Sequence, residues 1–177
     1  MRLPLSRAPR LLRNMSIALA VLLPGAVLAE PSAIYLVRHG EKVGIGKDPA
    51  LTPQGQLRAQ HIAAILHRTG IQAIFSTPTA RTLQTAQPLA RQLRLQVEQY
   101  DPALPKTLVD KVKTLHGPVL VVGHSNTLPE LVGLFGGEPG PDIADDEYDR
   151  LYQLTPQAGG AVRTVILSSL PAPAGVR

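Results

Sequence analysis

Ile34-Tyr35-Leu36-Val37-Arg38-His39-Gly40-Glu41 is the stretch whose reading decides the fold. Four apolar residues run without interruption and stop on an arginine, a histidine and a glycine. A continuous apolar run of this kind reads as a strand covered on both faces, as in a parallel sheet. Gly40 lets the backbone turn with no Cβ in the way. Arg38 and His39 are then presented at the carboxyl end of a strand, the rim where open α/β sheets bind ligands.

Two further stretches repeat the arrangement. Val119-Leu120-Val121-Val122 stops on Gly123-His124-Ser125-Asn126, and Ile71-Gln72-Ala73-Ile74-Phe75 stops on Ser76-Thr77-Pro78. Between them the pattern is helical. Thr52 as N-cap with Pro53 at the first helical position starts a helix that Gly70 closes, with Leu57, Ile62, Ile65 and Leu66 as its apolar stripe. A second helix carries Arg81 in its first turn and should kink or lose hydrogen bonding at Pro88. Leu95 to Tyr100 alternates as a half-buried strand near an edge, and Asp101-Pro102 leads to a short helix from about Lys106 to Leu115. A helix from about Leu128 to Phe135 follows the His124 segment. The acidic stretch from Asp142 to Asp149 reads as a solvated face. Leu151–Leu154 and Val162–Leu167 read as a closing hairpin. Strands alternating with helices imply an α/β fold of three layers, α/β/α, around a mostly parallel central sheet.

The ends of the chain read differently. Arg2, Arg7, Arg10 and Arg13 precede the apolar run Met15 to Leu23, and Val27-Leu28-Ala29 ends in a small-residue site. This is the pattern of a secretory signal peptide over residues 1–29, cleaved after Ala29, which places the protein in the periplasm or outside the cell. The apolar run is shorter than the roughly 20 residues of a spanning helix and Pro24-Gly25 breaks it, so no stable membrane anchor is expected. The chain has no cysteine, which excludes disulfides and a lipid-modified cysteine. Cleavage leaves 148 of the 177 residues, with one domain over residues 30–170 and a Pro/Ala-rich disordered tail over 171–177. Four of the 18 Lys+Arg and none of the 13 Asp+Glu lie in the signal, leaving 14 against 13. A nearly neutral, aromatic-poor domain lacks the basic face and stacking rings of a nucleic-acid binder. Nothing in the sequence reads on oligomeric state.

In a parallel sheet the junctions carrying His39, Arg81 and His124 fall on one rim, beside helix N-termini that favour anions. Two histidines and two arginines gathered there form a cationic pocket that a phosphate group would neutralise. His39 is the better nucleophile, because Arg38, Arg81 and His124 disfavour its charged form and leave the ring neutral. The arginine forks suit phosphoryl oxygens, and His124 with the Ser125 backbone N–H would polarise one of them. His61 and His67 lie about 240° apart around their helix and do not share a face as metal ligands would.

The motifs Arg38-His39-Gly40, Leu51-Thr52-Pro53-Gln54-Gly55, Ser76-Thr77-Pro78-Thr79-Ala80-Arg81-Thr82-Leu83-Gln84-Thr85-Ala86 and Val122-Gly123-His124-Ser125 together resemble the histidine phosphatase superfamily. This is the clan of phosphoglycerate mutases, phosphohistidine phosphatases and acid phosphatases. The resemblance runs in order from about Ile34 to Leu167 and looks like the small branch, without cap insertions. It implies a phosphoglycerate mutase-like fold, phosphorylation of His39, a phosphate pocket completed by Arg38, Arg81 and His124, and no metal or other cofactor. It adds Gly40 and Glu41 of the first motif to the substrate-binding set. Glu41-Lys42-Val43-Gly44-Ile45 departs from the Glu, Ser or Thr, Trp-Asn continuation of many members, so that segment's substrate contacts do not carry over. The leaving-group acid of many relatives lies after the third strand, where this chain has Asp101. Glu98 and Glu41 are rivals, and phosphohistidine phosphatases can manage without one.

The activity expected is that of an exported phosphatase acting on a small-molecule or protein-borne phosphate. A mutase and a catalytically silent phosphate-binding protein are the alternatives. Expressed as the full chain in a secreting bacterium, the mature protein should begin at Glu30. Terminal sequencing or intact mass checks this, and an unprocessed Met1 form in the cytosol would contradict it.

Overall fold

The computed structural model describes residues 31–44 and 46–169. The expected signal segment (residues 1–29) and the expected tail (171–177) lie outside the described residues. Among the described residues, no helix is long and apolar enough to cross a membrane.

Strand β1 (Ile34–Arg38) leads to helix α1 (Pro53–Leu66), β2 (Ala73–Ser76), α2 (Ala80–Leu93), β3 (Val97–Gln99), α3 (Pro105–Lys113), β4 (Val119–Gly123) and α4 (Leu128–Leu134), and the hairpin β5 (Arg150–Pro156) and β6 (Val162–Ser168) closes the sequence. The six strands form one sheet in the order β3-β2-β4-β1-β5-β6. The first four are parallel to one another, and β5 and β6 are antiparallel. The fold is thus α/β with helices on both faces of a mostly parallel sheet, as the alternation of elements implied.

Period-two alternation along β1 divides the core. Ile34 and Leu36 face α3 and α4, where they pack with Leu108, Val112, Leu131 and Val132. Tyr35 and Val37 face α1 and α2, among Ile62, Leu66, Ala86 and Leu89. Every residue of β1 and β4 is buried, which is why both read as unbroken apolar runs. The two strands pair in register with Arg38 opposite Gly123, and β2 ends with Ser76 opposite Val122. Three strand ends therefore stop at one level, and the residues that follow them share a rim.

The buried face of α1 differs from the apolar stripe expected of it. It consists of Gly55, Arg58, Ala59, Ile62, Ala63 and Leu66, at helical spacing, while Ile65 is exposed. Small residues and an arginine make up four of those six positions, so a search for large apolar residues rotates the face. Thr52 does cap the helix, accepting from Gly55 N–H at 3.1 Å, and Gly70 takes a left-handed turn beyond the helix end. Helix α2 continues through Pro88 to a left-handed Arg94.

The start of α1 lies hard against the turn after β1. A Cβ on Gly40 would fall 2.6 Å from Gly55 O, and one on Gly55 would fall 2.2 Å from Glu41 O. Both clashes are with backbone, which cannot swing aside. Glu41 O also accepts from Thr52 N–H at 2.8 Å, so turn and helix start are clamped together. Substituting Gly55→Ala should lower stability by about 1–3 kcal/mol or more through forced overpacking. A urea titration reads it as a fall in midpoint at unchanged slope, and an unchanged midpoint would contradict the close approach.

Candidate functional site

Arg38, His39, Lys42, Arg81 and His124 line a cavity of about 510 Å³ at the carboxyl rim of the sheet, together with Pro102, Ala103, Ser125, Asn126 and Thr127. The three sequence-distant junctions thus do converge. The rings of His39 and His124 stand 5.4 Å apart at 66°. No Asp or Glu is among the described residues lining this cavity.

His39 is held in one orientation. Its backbone N–H donates to Gly123 O at 3.1 Å, extending the β1–β4 ladder by one residue. Its Nδ1 lies 2.8 Å from Gly40 O. A carbonyl only accepts, so Nδ1 carries the proton and the lone pair sits on Nε2. Gly40 is fixed in turn by Thr85 Oγ1, which accepts the Gly40 N–H at 2.9 Å and donates to Arg81 O at 2.8 Å. Burial, with help from His124, Arg38 and Arg81, lowers the His39 pKa to about 4, against the lesser opposing pull of Gly40 O. Burial and the two arginines lower His124 likewise to about 4. Both imidazoles are therefore neutral near pH 7.

The two arginines are anchored at one end and free at the other. Arg38 Nη1 lies 2.9, 3.0 and 2.8 Å from the carbonyls of Ala144, Asp145 and Glu147, and its guanidinium carbon lies 4.1 Å from the centre of the Tyr148 ring. Arg81 Nη1 lies 3.7 Å from the exposed Asp48 carboxylate, which also accepts the N–H of Ala80 at the start of α2. The Nε atoms of both arginines are buried with no hydrogen-bond partner among the described residues. Each orphaned charged donor costs at least about 1–3 kcal/mol of desolvation until an acceptor arrives.

The remaining expected residues separate. Gly40 serves by close approach and by its carbonyl. Ser125 lies on the cavity wall. Glu41 is turned away from the cavity: Arg58 grips both its oxygens at 2.6–3.1 Å and Gln54 adds a bond at 3.0 Å. Burial pushes its carboxyl up, but these partners outweigh that and hold it below its ordinary value. Asp101 accepts from Ala103 N–H at 2.8 Å, the side-chain turn that an Asp before Pro commonly makes, and lines a neighbouring depression beside Leu104 and Lys111. Glu98 is paired with Lys111. None of the three carboxylates proposed as acids is on the cavity wall. The acidic stretch is more than a solvated face, since its carbonyls anchor Arg38. Lys42, Asp48, Thr77 and Tyr148, to which the sequence assigns no role, also stand at or beside the cavity. Thr77 could have been found, because it directly follows a strand that ends at the rim. Tyr148 had no local signal, being 110 positions from Arg38 in sequence.

Among the described residues no group of three His, Cys, Asp or Glu side chains could hold a metal ion. A depression of about 470 Å³ at the opposite end of the sheet, beside Ile34, Phe135 and Val162, holds none of the groups above.

Comparison with known proteins places this geometry. Residues 34–104 match the family model of the histidine phosphatase superfamily, branch 1. A rat 6-phosphofructo-2-kinase/fructose-2,6-bisphosphatase 4 is 37% identical over 67 residues, which is 34% of this chain and 14% of that protein, so the chain spans about a seventh of this relative's length. Among solved structures, a protein named as a phosphohistidine phosphatase from Agrobacterium tumefaciens superposes with a TM-score of 0.62 at 22% identity, covering 79% of this chain and 99% of that one. A mycobacterial glucosyl-3-phosphoglycerate phosphatase gives 0.61 at 15% identity, covering 78% and 99%. A phosphoglycerate mutase from Bacillus anthracis gives 0.62 at 15% identity, covering 79% and 94%. At these identities the structures establish a shared fold.

Two neutral imidazoles, His39 buried and His124 half-buried, set a pH dependence. In the unfolded chain each binds a proton as pH falls through about 6.5, whereas in the fold each resists protonation down to about 4. The unfolded state binds more protons across that window, so stability rises with pH from about 4 to 6.5 and is then flat with respect to these groups. Ring resonances of His39 and His124 should titrate near pH 4 in phosphate-free buffer. Titration of either above pH 6 would contradict the assignment.

Proposed function

We propose that the chain is a member of the histidine phosphatase superfamily, whose branch 1 model matches residues 34–104, and that it is a phosphatase hydrolysing phosphomonoesters or phosphohistidine through a phosphohistidine intermediate on His39. One observation carries the reading. Two guanidinium groups with buried, unpartnered Nε–H donors share a cavity with an imidazole whose lone pair sits on Nε2.

The chemistry follows from those atoms. A phosphate group enters between Arg38 and Arg81, whose free donors take its oxygens. His39 Nε2 attacks phosphorus as the bond to the leaving group breaks opposite it. The guanidinium groups and His124 stabilise the charge on the equatorial oxygens. Water then attacks the phosphorus, the Nε2–P bond breaks, and inorganic phosphate leaves with the His39 lone pair restored. The cations already present supply the charge stabilisation a metal ion would otherwise give, so the reaction runs without a metal. Among the described residues no carboxylate lines the cavity, so the leaving group takes its proton from solvent. That favours substrates whose leaving group needs little help, such as phosphohistidine or an aryl phosphate, over alkyl phosphates. The cavity is open, which favours water as the acceptor over a retained second substrate and so hydrolysis over a mutase reaction. The sequence of residues 1–29 supports action outside the cytoplasm.

Purified protein should hydrolyse an aryl phosphate at a rate unchanged by chelator, and a phosphoramidate faster than an alkyl phosphate. His39→Ala should lower kcat/KM by at least about a thousandfold, as loss of a nucleophile does. Label from the substrate should be trapped on His39 as an acid-labile, alkali-stable adduct. Wild-type turnover no greater than that of His39→Ala would overturn the reading.

A further inference from the structure

Behind His124 lies a run of threonine hydroxyls that the reaction above does not use. Thr77 and Thr82 are wholly buried. Thr77 Oγ1 lies 2.9 Å from His124 Nε2 and 2.9 Å from Thr82 Oγ1. Thr82 Oγ1 is 2.9 Å from Thr77 O, 3.0 Å from Thr79 O and 2.8 Å from Thr79 Oγ1. The other ring nitrogen, Nδ1, is approached by Arg81 Nη2 at 3.5 Å.

Counting protons gives one arrangement for the empty cavity. A guanidinium N–H can only donate, so Nδ1 of His124 holds a lone pair and Nε2 holds the proton. Nε2–H then donates to Thr77, the Thr77 hydroxyl donates to Thr82, and the Thr82 hydroxyl donates to a carbonyl. Every proton has an acceptor.

A phosphate oxygen in front of Nδ1 reverses the demand. An oxyanion only accepts, so the ring proton has to sit on Nδ1. A ring that stays neutral then has its lone pair on Nε2 and needs a donor there. Turning the Thr77 hydroxyl supplies one, and Thr82 keeps its carbonyl acceptors throughout. The ring proton exchanges through solvent, and the protein neither gains nor loses a proton. A backbone carbonyl in place of Thr77 could not do this. It would fix the proton on Nε2, and only the imidazolium could then donate to the anion. Burial and the two arginines oppose that charged form.

We infer that Thr77 is a positioning residue that sets the tautomer of His124, accepting from Nε2–H in the empty cavity and donating to Nε2 when a phosphate group is bound. This rests on reading the cavity as a phosphate site.

The test is ¹⁵N NMR of the histidine rings in the full chain at pH 7, with and without saturating inorganic phosphate, alongside Thr77→Ser and Thr77→Val. Wild type should show His124 protonated on Nε2 alone without phosphate and on Nδ1 alone with it. Thr77→Ser keeps the switch and should stay within about threefold of wild-type kcat/KM, whereas Thr77→Val should lose about 10- to 100-fold, as partners that orient functional histidines do. With phosphate, the Val variant should show an imidazolium or remain protonated on Nε2. A wild-type ring protonated on Nε2 in both states overturns the inference, and so does a Val variant that matches the Ser variant in turnover and tautomer. A tautomer change on phosphate binding without any turnover supports the inference and sinks the phosphatase reading instead. Failure to bind phosphate sinks both. If Thr77→Val does not fold, the wild-type and Ser measurements decide.

Discussion

Bringing two guanidinium groups and two imidazoles to the mouth of one sheet costs free energy, and much of the structure offsets that cost. Two charged imidazoles at the 5.4 Å ring separation would repel by about 3 kcal/mol even at an effective dielectric of 20. The fold avoids this by keeping both rings neutral, through burial more than through charge. The arginines cannot be neutralised, so they are held from behind. Arg38 is held by three carbonyls and the face of Tyr148, and Arg81 by Asp48. What remains unsatisfied on both, the Nε–H, is the part an incoming oxyanion would complete.

The rest of the molecule keeps those groups in register. β1 and β4 are adjacent, parallel and fully buried, so their ends cannot slip without moving every side chain to the wrong face. The β1 turn is locked against α1 by backbone packing at Gly40 and Gly55 and by the Glu41–Arg58 pair. Arg58 also reaches Ser169 Oγ at 3.1 Å, joining the last described residue to the turn beside His39. A carboxylate that looked free to meet substrate is instead half of a partly buried pair. Removing either partner of such a pair leaves an uncompensated charge, which is why it reads as structure.

Most of the architecture was legible because its signals are local. Unbroken apolar runs marked β1 and β4, and Thr52-Pro53 marked the start of α1. The buried face of α1 was misplaced because Gly55, Ala59 and Ala63 bury little area each, and Arg58 is inside only because Glu41 meets it. The acidic stretch was misjudged for a related reason. Its side chains are mostly solvated, as their composition suggests, but its carbonyls are what Arg38 needs, and every residue type carries one.

The sequence by itself determined the alternation of strands and helices, the burial of the central strands, and the placing of Arg38, His39, Arg81 and His124 at junctions on one rim. Those follow from hydrophobic periodicity, a local signal, and from the parallel pairing that alternating strands and helices impose. Only the tertiary structure decided which nitrogen of each imidazole faces the cavity, which carboxylates are already taken, and that Tyr148 and Thr77 stand beside the site. Such choices depend on which donor meets which acceptor across gaps of tens to over a hundred residues. A hydrogen bond discriminates over tenths of an ångström, a precision that residue spacing does not carry.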